Sequence, residues 1–252
     1  MDGNLLFWID TVNFVLGCTL FCCGLGGFLG ITGILDPDNG NISGKMRAVL
    51  GVLIFGCLAV LGNLIGFSND DVLINFSDIG PIAGGLWFGP AAGLGAGIIG
   101  GTSRLFFGGV TMYTCAFATL LEGIVSAGMY KMLKGNMTVR NSVLIATILG
   151  AIHLTLVAIL TPNGVALVLT FSSIGSIAFV IIGVATLSAS YKYFGARFRG
   201  ESLGKNDQKL SHPKAGRNKP VYNFQLRELE KQNAAKKRKG PAVPDNPEKT
   251  PR

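Results

Sequence analysis

The chain has 252 residues, 49% of them hydrophobic, with 36 glycines and a mean hydropathy of +0.47, which excludes an ordinary soluble domain and points to a membrane protein. The formal net charge of +8 is unevenly placed: residues 197–252 hold 15 Lys/Arg against 6 Asp/Glu, while the rest holds 7 basic and 8 acidic residues. A near-neutral membrane body, residues 1–194, thus carries a basic tail, residues 195–252.

Apolar runs follow one another along the body. The first, residues 5–35, is interrupted by Asp10 and Asn13 near its start and ends in the turn signal Asp36-Pro37-Asp38-Asn39-Gly40. The N-terminus reads Met1-Asp2-Gly3 without a basic leader, and the run is too long for a cleaved signal peptide. Lys45 and Arg47 precede the second run, 48–67, which contains Asn63. Residues 68–77 read as a loop made acidic by Asp70 and Asp71. The third run, 79–101, is interrupted at Gly89-Pro90, where the missing backbone donor predicts a kink or break. The fourth is 110–133, with Lys131 at its end and Lys134 and Arg140 after it. The fifth, 142–160, stops at Pro162-Asn163-Gly164, and the sixth runs from 165 to about 194. The pattern predicts an all-α polytopic helix bundle of six apolar segments.

Positive loops favour the cytoplasm, which places the tail and the 131–140 loop inside. Six full spans then put Lys45 and Arg47 outside and the acidic 68–77 loop inside, against the rule. Five spans with 79–101 as a re-entrant hairpin remove that conflict. Six spans are nonetheless expected, because 23 residues reach about 35 Å in a helix. The tail reads as mostly disordered, with a short helix possible over 221–239, and its basic residues suit an anionic lipid surface. Nucleic-acid binding is not expected from one basic cluster without a stacking platform.

Cys18, Cys22, Cys23, Cys57 and Cys115 are odd in number and all lie in apolar segments. Neither a disulfide framework nor zinc spacing follows, so no metal or cofactor is expected.

Residues 78–123 are the most informative. Gly85, Gly89, Gly93, Gly97 and Gly101 stand four apart. On a helix they share a face, and in a membrane such a face lets a second helix approach backbone to backbone. Together with Pro90 these are helix-packing candidates. Arg104 follows the glycine face and Glu122 lies in the next apolar run. Lone charges in lipid are costly, so Arg104 is read as an anion contact, an interfacial anchor or the partner of Glu122. Cys115, Thr119 and Glu122 fall at i, i+4 and i+7, a single stripe that lines a cavity or packs. Asn75 caps the third run or lines a ligand mouth, with capping favoured. His153 reads as a hydrogen-bonded core histidine rather than a proton sensor. Trp8 and Trp87 read as interface or packing aromatics.

The same stretch resembles the LytS-type five-transmembrane receptor family. The residues that carry the resemblance are Asn75 to Gly80, Gly84-Gly85, Gly89-Pro90, the glycines from Gly93 to Gly101, Ser103-Arg104, Gly108-Gly109-Val110-Thr111, Cys115, and Thr119 to Gly123. Three positions depart from it: Ser77 stands where the family has its first arginine, Ser103 where it has a histidine, and Ala118 where some members have serine. His153 stands in the fifth run, where members often carry a glutamate. The resemblance implies a receptor for a small molecule, such as a small carboxylate, in the plasma membrane. Its candidate ligand residues are Arg104, Cys115, Thr119, Glu122 and Asn75. It implies relay to a separate signalling protein, or within a homo-oligomer, in a two-component-like phosphorelay or cell-wall regulation pathway. Only 58 residues follow Phe194, too few for a kinase catalytic domain, so no catalytic residue is expected and the chain reads as an input module. The alternatives are a substrate-binding membrane subunit of a vitamin-type uptake transporter and a non-sensing scaffold.

Overall fold

The computed structural model describes residues 3–36, 42–69, 72–133, 135–169 and 171–198. The chain divides into two compact units, Met1–Leu203 and Gly204–Arg252, and every described residue belongs to the first. The expectations of a disordered tail, of a helix over 221–239 and of a turn at 37–40 lie outside the described residues, as does the side chain of Trp8.

The elements in order are α1 (Gly3–Thr32), α2 (Gly44–Ile65), β1 (Phe67–Asn69), β2 (Val72–Ile74), α3 (Ile79–Phe88), α4 (Pro90–Arg104), α5 (Met112–Met132), α6 (Val139–Leu160), α7 (Gly164–Val168) and α8 (Phe171–Phe198). Local chemistry sets several boundaries. The Ser43 side chain accepts from the Met46 amide at 3.3 Å to start α2, and Thr138 accepts from Asn141 at 3.1 Å to start α6. The loop expected at 68–77 contains a small antiparallel pair in which Ser68 faces Leu73.

Among the described residues, five helices are long and apolar enough to cross a membrane: Ile9–Thr32, Gly44–Ile65, Met112–Met132, Val139–Leu160 and Ser173–Phe198. Their outer faces keep large apolar side chains exposed, among them Leu53, Leu64, Phe117, Ile148 and Ile159. Such a surface is a liability in water and the normal one against lipid tails.

The third run does not form a single crossing helix. Gly89 adopts φ +102°, a conformation that glycine reaches without strain, and Pro90 then opens α4 at a position where its missing amide is harmless. The chain reverses there. A Cβ added at Gly93 would lie 2.5 Å from the Gly85 Cα, so α3 and α4 fold back on one another as a tight hairpin. At 10 and 15 residues, they reach only about 15 and 22 Å. Of the two arrangements read from the sequence, the hairpin fits five spans with a broken third run, and the single helix expected over 79–101 is corrected. Length alone misled, because a run long enough to cross can also be spent on a turn.

The hairpin is the hub of the bundle. Residues 79–86 of α3 are buried on every side. Gly80 abuts the Phe55 carbonyl of α2, Gly85 abuts Ser126 of α5, and Gly183 of α8 abuts Ile79. The hairpin's other arm, α4, lies between α2 and α5. An added Cβ at Gly51 would stand 3.0 Å from Ala92, and one at Gly101 would stand 2.7 Å from the Ala116 carbonyl. The glycine row forms a close-packed seam that is folded at Gly89 rather than drifting along one helix. Outside the hub, α1 packs along α8, where Ser190 Oγ donates to Cys23 Sγ at 3.2 Å.

Candidate functional site

At its open end the hairpin brings the start of α3 and the end of α4 beside the start of α5, the second half of α6 and the start of α8. A cavity of about 60 Å³ lies there. Asn75, Ser77, Asp78, Arg104, Thr119 and His153 supply most of its polar wall. Thr111, Cys115, Ser173 and Ser176 also line it, and Leu154, Val157, Ile177 and Val180 supply its apolar side.

Arg104 ends α4 with its side chain turned inward, 2% exposed. Its Nη1 donates to the Gly108 carbonyl at 2.8 Å and its Nη2 to Thr111 Oγ1 at 3.5 Å. Gly108 has φ +68°, a left-handed turn that curls the backbone around the guanidinium. The Nε has no hydrogen-bond partner among the described residues. A buried donor left open in a cavity wall is an invitation to an acceptor.

A buried acid–histidine cluster lines the same space. Asp78, just before α3, accepts from Thr119 Oγ1 at 2.6 Å. His153 Nδ1 on α6 stands 3.3 Å from Asp78 Oδ2 and 3.1 Å from Glu122 Oε1. Two carboxylates so close in a buried site need a donor between them, and the imidazole provides it. Cys115, one turn before Thr119 on α5, lines the same cavity. Asp78, Glu122 and His153 also bring one ligand atom each within 4.8 Å of one another, a grouping able to hold a metal ion that the cysteine and histidine spacing gave no reason to expect.

A second chain of hydrogen bonds runs to α2. Asn63, 1% exposed, donates through Nδ2 to the Gly100 carbonyl at 3.2 Å and to Ser103 Oγ at 2.8 Å. Its Oδ1 accepts from Asn75 Nδ2 at 3.1 Å. Asn75 Oδ1 in turn accepts from the Ser77 amide at 3.4 Å, and Ser77 Oγ lies 3.4 Å from Asp78 Oδ1. Polar side chains therefore connect α2, α4, α3, α5 and α6 around the cavity.

Arg104, Cys115, Thr119 and Asn75 all reach the cavity wall, and Glu122 sits one turn deeper, on His153. Of the stripe Cys115, Thr119 and Glu122, the first two line the cavity and the third contacts His153. Two expectations are corrected. Arg104 and Glu122 do not pair: the guanidinium is held by the turn after α4, and the carboxylate by His153. Asn75 does not cap the third run: α3 starts at Ile79 with Asp78 in the cap position, and the Asn75 side chain bridges Asn63 and Ser77 instead. Trp87 packs edge-on against Tyr191 with ring centres 5.6 Å apart, as a packing aromatic should. The residue that sequence reasoning passed over is Asp78. A lone acid at the head of an apolar run reads as a helix start, and only its isolation in a stretch without other charges marked it.

Residues 39–190 match the family model described as the 5TMR of 5TMR-LYT. The chain belongs to the 5TMR-LYT family. Among curated proteins it is similar to the sensor histidine kinase BtsS of Escherichia coli K12, at 32% identity over 81 residues, which are 32% of this chain and 14% of that protein. It is also similar to the sensor protein LytS of Bacillus anthracis, at 25% identity over 112 residues, 43% of this chain and 19% of that protein. The matched part thus spans under a fifth of the length of these relatives and covers their membrane receptor region. No solved structure matches the chain. Membership in 5TMR-LYT makes this a multi-pass membrane receptor domain of the kind that sensor histidine kinases carry.

Proposed function

We propose that this 5TMR-LYT domain senses a small molecule bearing an anionic group, with Arg104 as the anion contact. The supporting observation is the Arg104 Nε, buried in a cavity wall without a partner among the described residues. Guanidinium suits the task because it stays charged and offers donors in a fixed plane. Binding draws the end of α4 toward α5 and α6, and the shared hydrogen-bond network carries the shift into the hairpin hub. The signal passes to a two-component partner, in a separate protein or a second copy of this chain, with the basic segment 195–252 held on anionic lipid.

The charge pattern supports an outward-facing site. Five spans with the tail inside place Lys45, Arg47 and the 131–140 loop in the cytoplasm. The cavity then lies toward the outer surface, with the turn before α7 and the β1–β2 segment.

Two measurements test this. Purified full chain should show a thermal shift with at least one member of a panel of two- to four-carbon carboxylates. Arg104→Ala should weaken that ligand roughly 10- to 100-fold, the range for losing a charge-assisted hydrogen bond. Absence of any shift across the panel, or an unchanged affinity in Arg104→Ala, defeats the reading. For topology, single cysteines at Asp71, Asn136 and Asn163 in a background without the five native cysteines should react differently with an impermeant maleimide on intact cells. Positions 71 and 163 should label and 136 should not; protection at 71 would restore the six-span arrangement.

A further inference from the structure

We propose that Asp78, Glu122 and His153 form a binding site for one divalent first-row metal ion, held where the start of α3 meets α5 and α6. The site is separate from the anion contact at Arg104 and does not depend on it.

The donor atoms are already gathered. Each of the three residues offers one, and the three lie within 4.8 Å of one another. His153 Nδ1 stands 3.3 Å from Asp78 Oδ2 and 3.1 Å from Glu122 Oε1. Donors that share an ion at about 2.0–2.2 Å stand roughly 3 Å apart when they are adjacent in its shell. Hydrogen bonding accounts for this arrangement only in part. Nδ1 carries at most one hydrogen, and one N–H cannot point at two carboxylates at once. A cation faces no such choice, because it attracts all three donors. Glu122 supplies a second, independent sign. The residue is 3% exposed, and its Oε2 is buried with no hydrogen-bond partner among the described residues. That atom belongs to the same carboxyl as Oε1, so it is a spare acceptor at the cluster itself. A buried carboxylate oxygen without a donor is costly, and a cation relieves it. Within the cluster, one imidazolium would offset only one of the two carboxylates. A divalent ion offsets both and leaves the imidazole neutral, the form in which it ligates. The surroundings supply orientation and a route. Asp78 Oδ1 accepts from Thr119 Oγ1 at 2.6 Å, which leaves Oδ2 for the ion. Asp78 and His153 also line the cavity, which gives an ion its way in. Two carboxylates and one imidazole suit Zn²⁺, Mn²⁺ or Fe²⁺, whereas Mg²⁺ and Ca²⁺ prefer oxygen alone.

The test is calorimetric titration of the purified full chain with Zn²⁺, after removal of bound metal by a chelator and without a histidine tag. The chain should bind about one Zn²⁺ and melt at a higher temperature with it. Glu122→Gln and Asp78→Asn, which keep the side-chain shape, should each weaken binding at least about tenfold. Thr119→Val leaves all three donors in place and removes only the hydrogen bond that orients Asp78; it should weaken binding roughly 10-fold or more. His212→Ala changes the only other histidine and should bind as the parent does, as should a chain without the five native cysteines. No Zn²⁺ binding by the unaltered chain up to about 1 mM overturns the site, and that result needs no variant that folds. Unchanged binding in both Glu122→Gln and Asp78→Asn overturns it too, as does loss of binding in His212→Ala or in the cysteine-free chain. Arg104→Ala should leave Zn²⁺ binding unchanged, so the metal site and the anion contact stand or fall separately.

Discussion

Gly123→Val is expected to prevent the bundle from forming, with the variant eluting as aggregate in detergent. A Cβ at Gly123 would stand 2.6 Å from the Gly93 carbonyl oxygen and 3.1 Å from the Gly97 Cα. Both neighbours are backbone, so no side chain can rotate away. Helix α4 cannot retreat either, since α2 is pressed on its far side: a Cβ at Gly100 would lie 2.8 Å from Ala59. Overpacking a tight core typically costs 1–3 kcal/mol, and a seam fixed on two sides places this substitution at or above about 3 kcal/mol. The comparison is Gly128→Ala, one and a half turns along the same helix. No atom lies within 4 Å of an added Cβ there. That variant should melt at or above the temperature of the parent, because alanine favours a helix over glycine by up to about 1 kcal/mol. Equal melting of Gly123→Val and the parent would refute the close-packed seam.

The contrast between these two glycines marks how far the sequence could be read. Spacing of four identified the row from Gly85 to Gly101 as a packing face, and hydropathy located the apolar segments to within a few residues of α1, α2, α5 and α6. Gly89-Pro90 announced a break. What spacing could not supply was the direction of the chain after the break, because a kink and a reversal differ only in backbone angles at one glycine. The site shows the same limit. Arg104 was conspicuous as a charge in an apolar context, and the Cys115–Thr119–Glu122 stripe followed from helical geometry. Pairing Arg104 with Glu122 was the simplest way to neutralise both, yet each found a different partner. The acid's partner, His153, is 31 residues away and its neighbour Asp78 is 41 residues from Thr119. Which faces meet depends on the hairpin reversal, so the pairing could not be read before the fold was known.

The cluster behind the cavity carries the second large effect. His153→Leu should destabilise the bundle by about 3–5 kcal/mol, because it leaves Asp78 and Glu122 buried without the donor between them. Glu122→Leu alone should cost less, since His153 keeps Asp78 at 3.3 Å. Changing both to leucine should cost less than the two losses added together, with a coupling of about 1–3 kcal/mol, because the double variant removes the stranded carboxylate along with its partner. Denaturant or thermal melts in one detergent measure all four corners of the cycle. Additivity within about 0.5 kcal/mol would mean that the 3.1 Å contact is incidental and that α6 is held by its apolar packing alone. A positive coupling has a further consequence for signalling. Asp78 belongs both to this cluster and to the cavity wall. A ligand that draws on Asp78 must then alter the grip of α3 and α5 on α6, and the ligand-induced rise in melting temperature should shrink in His153→Leu even where Arg104 is intact.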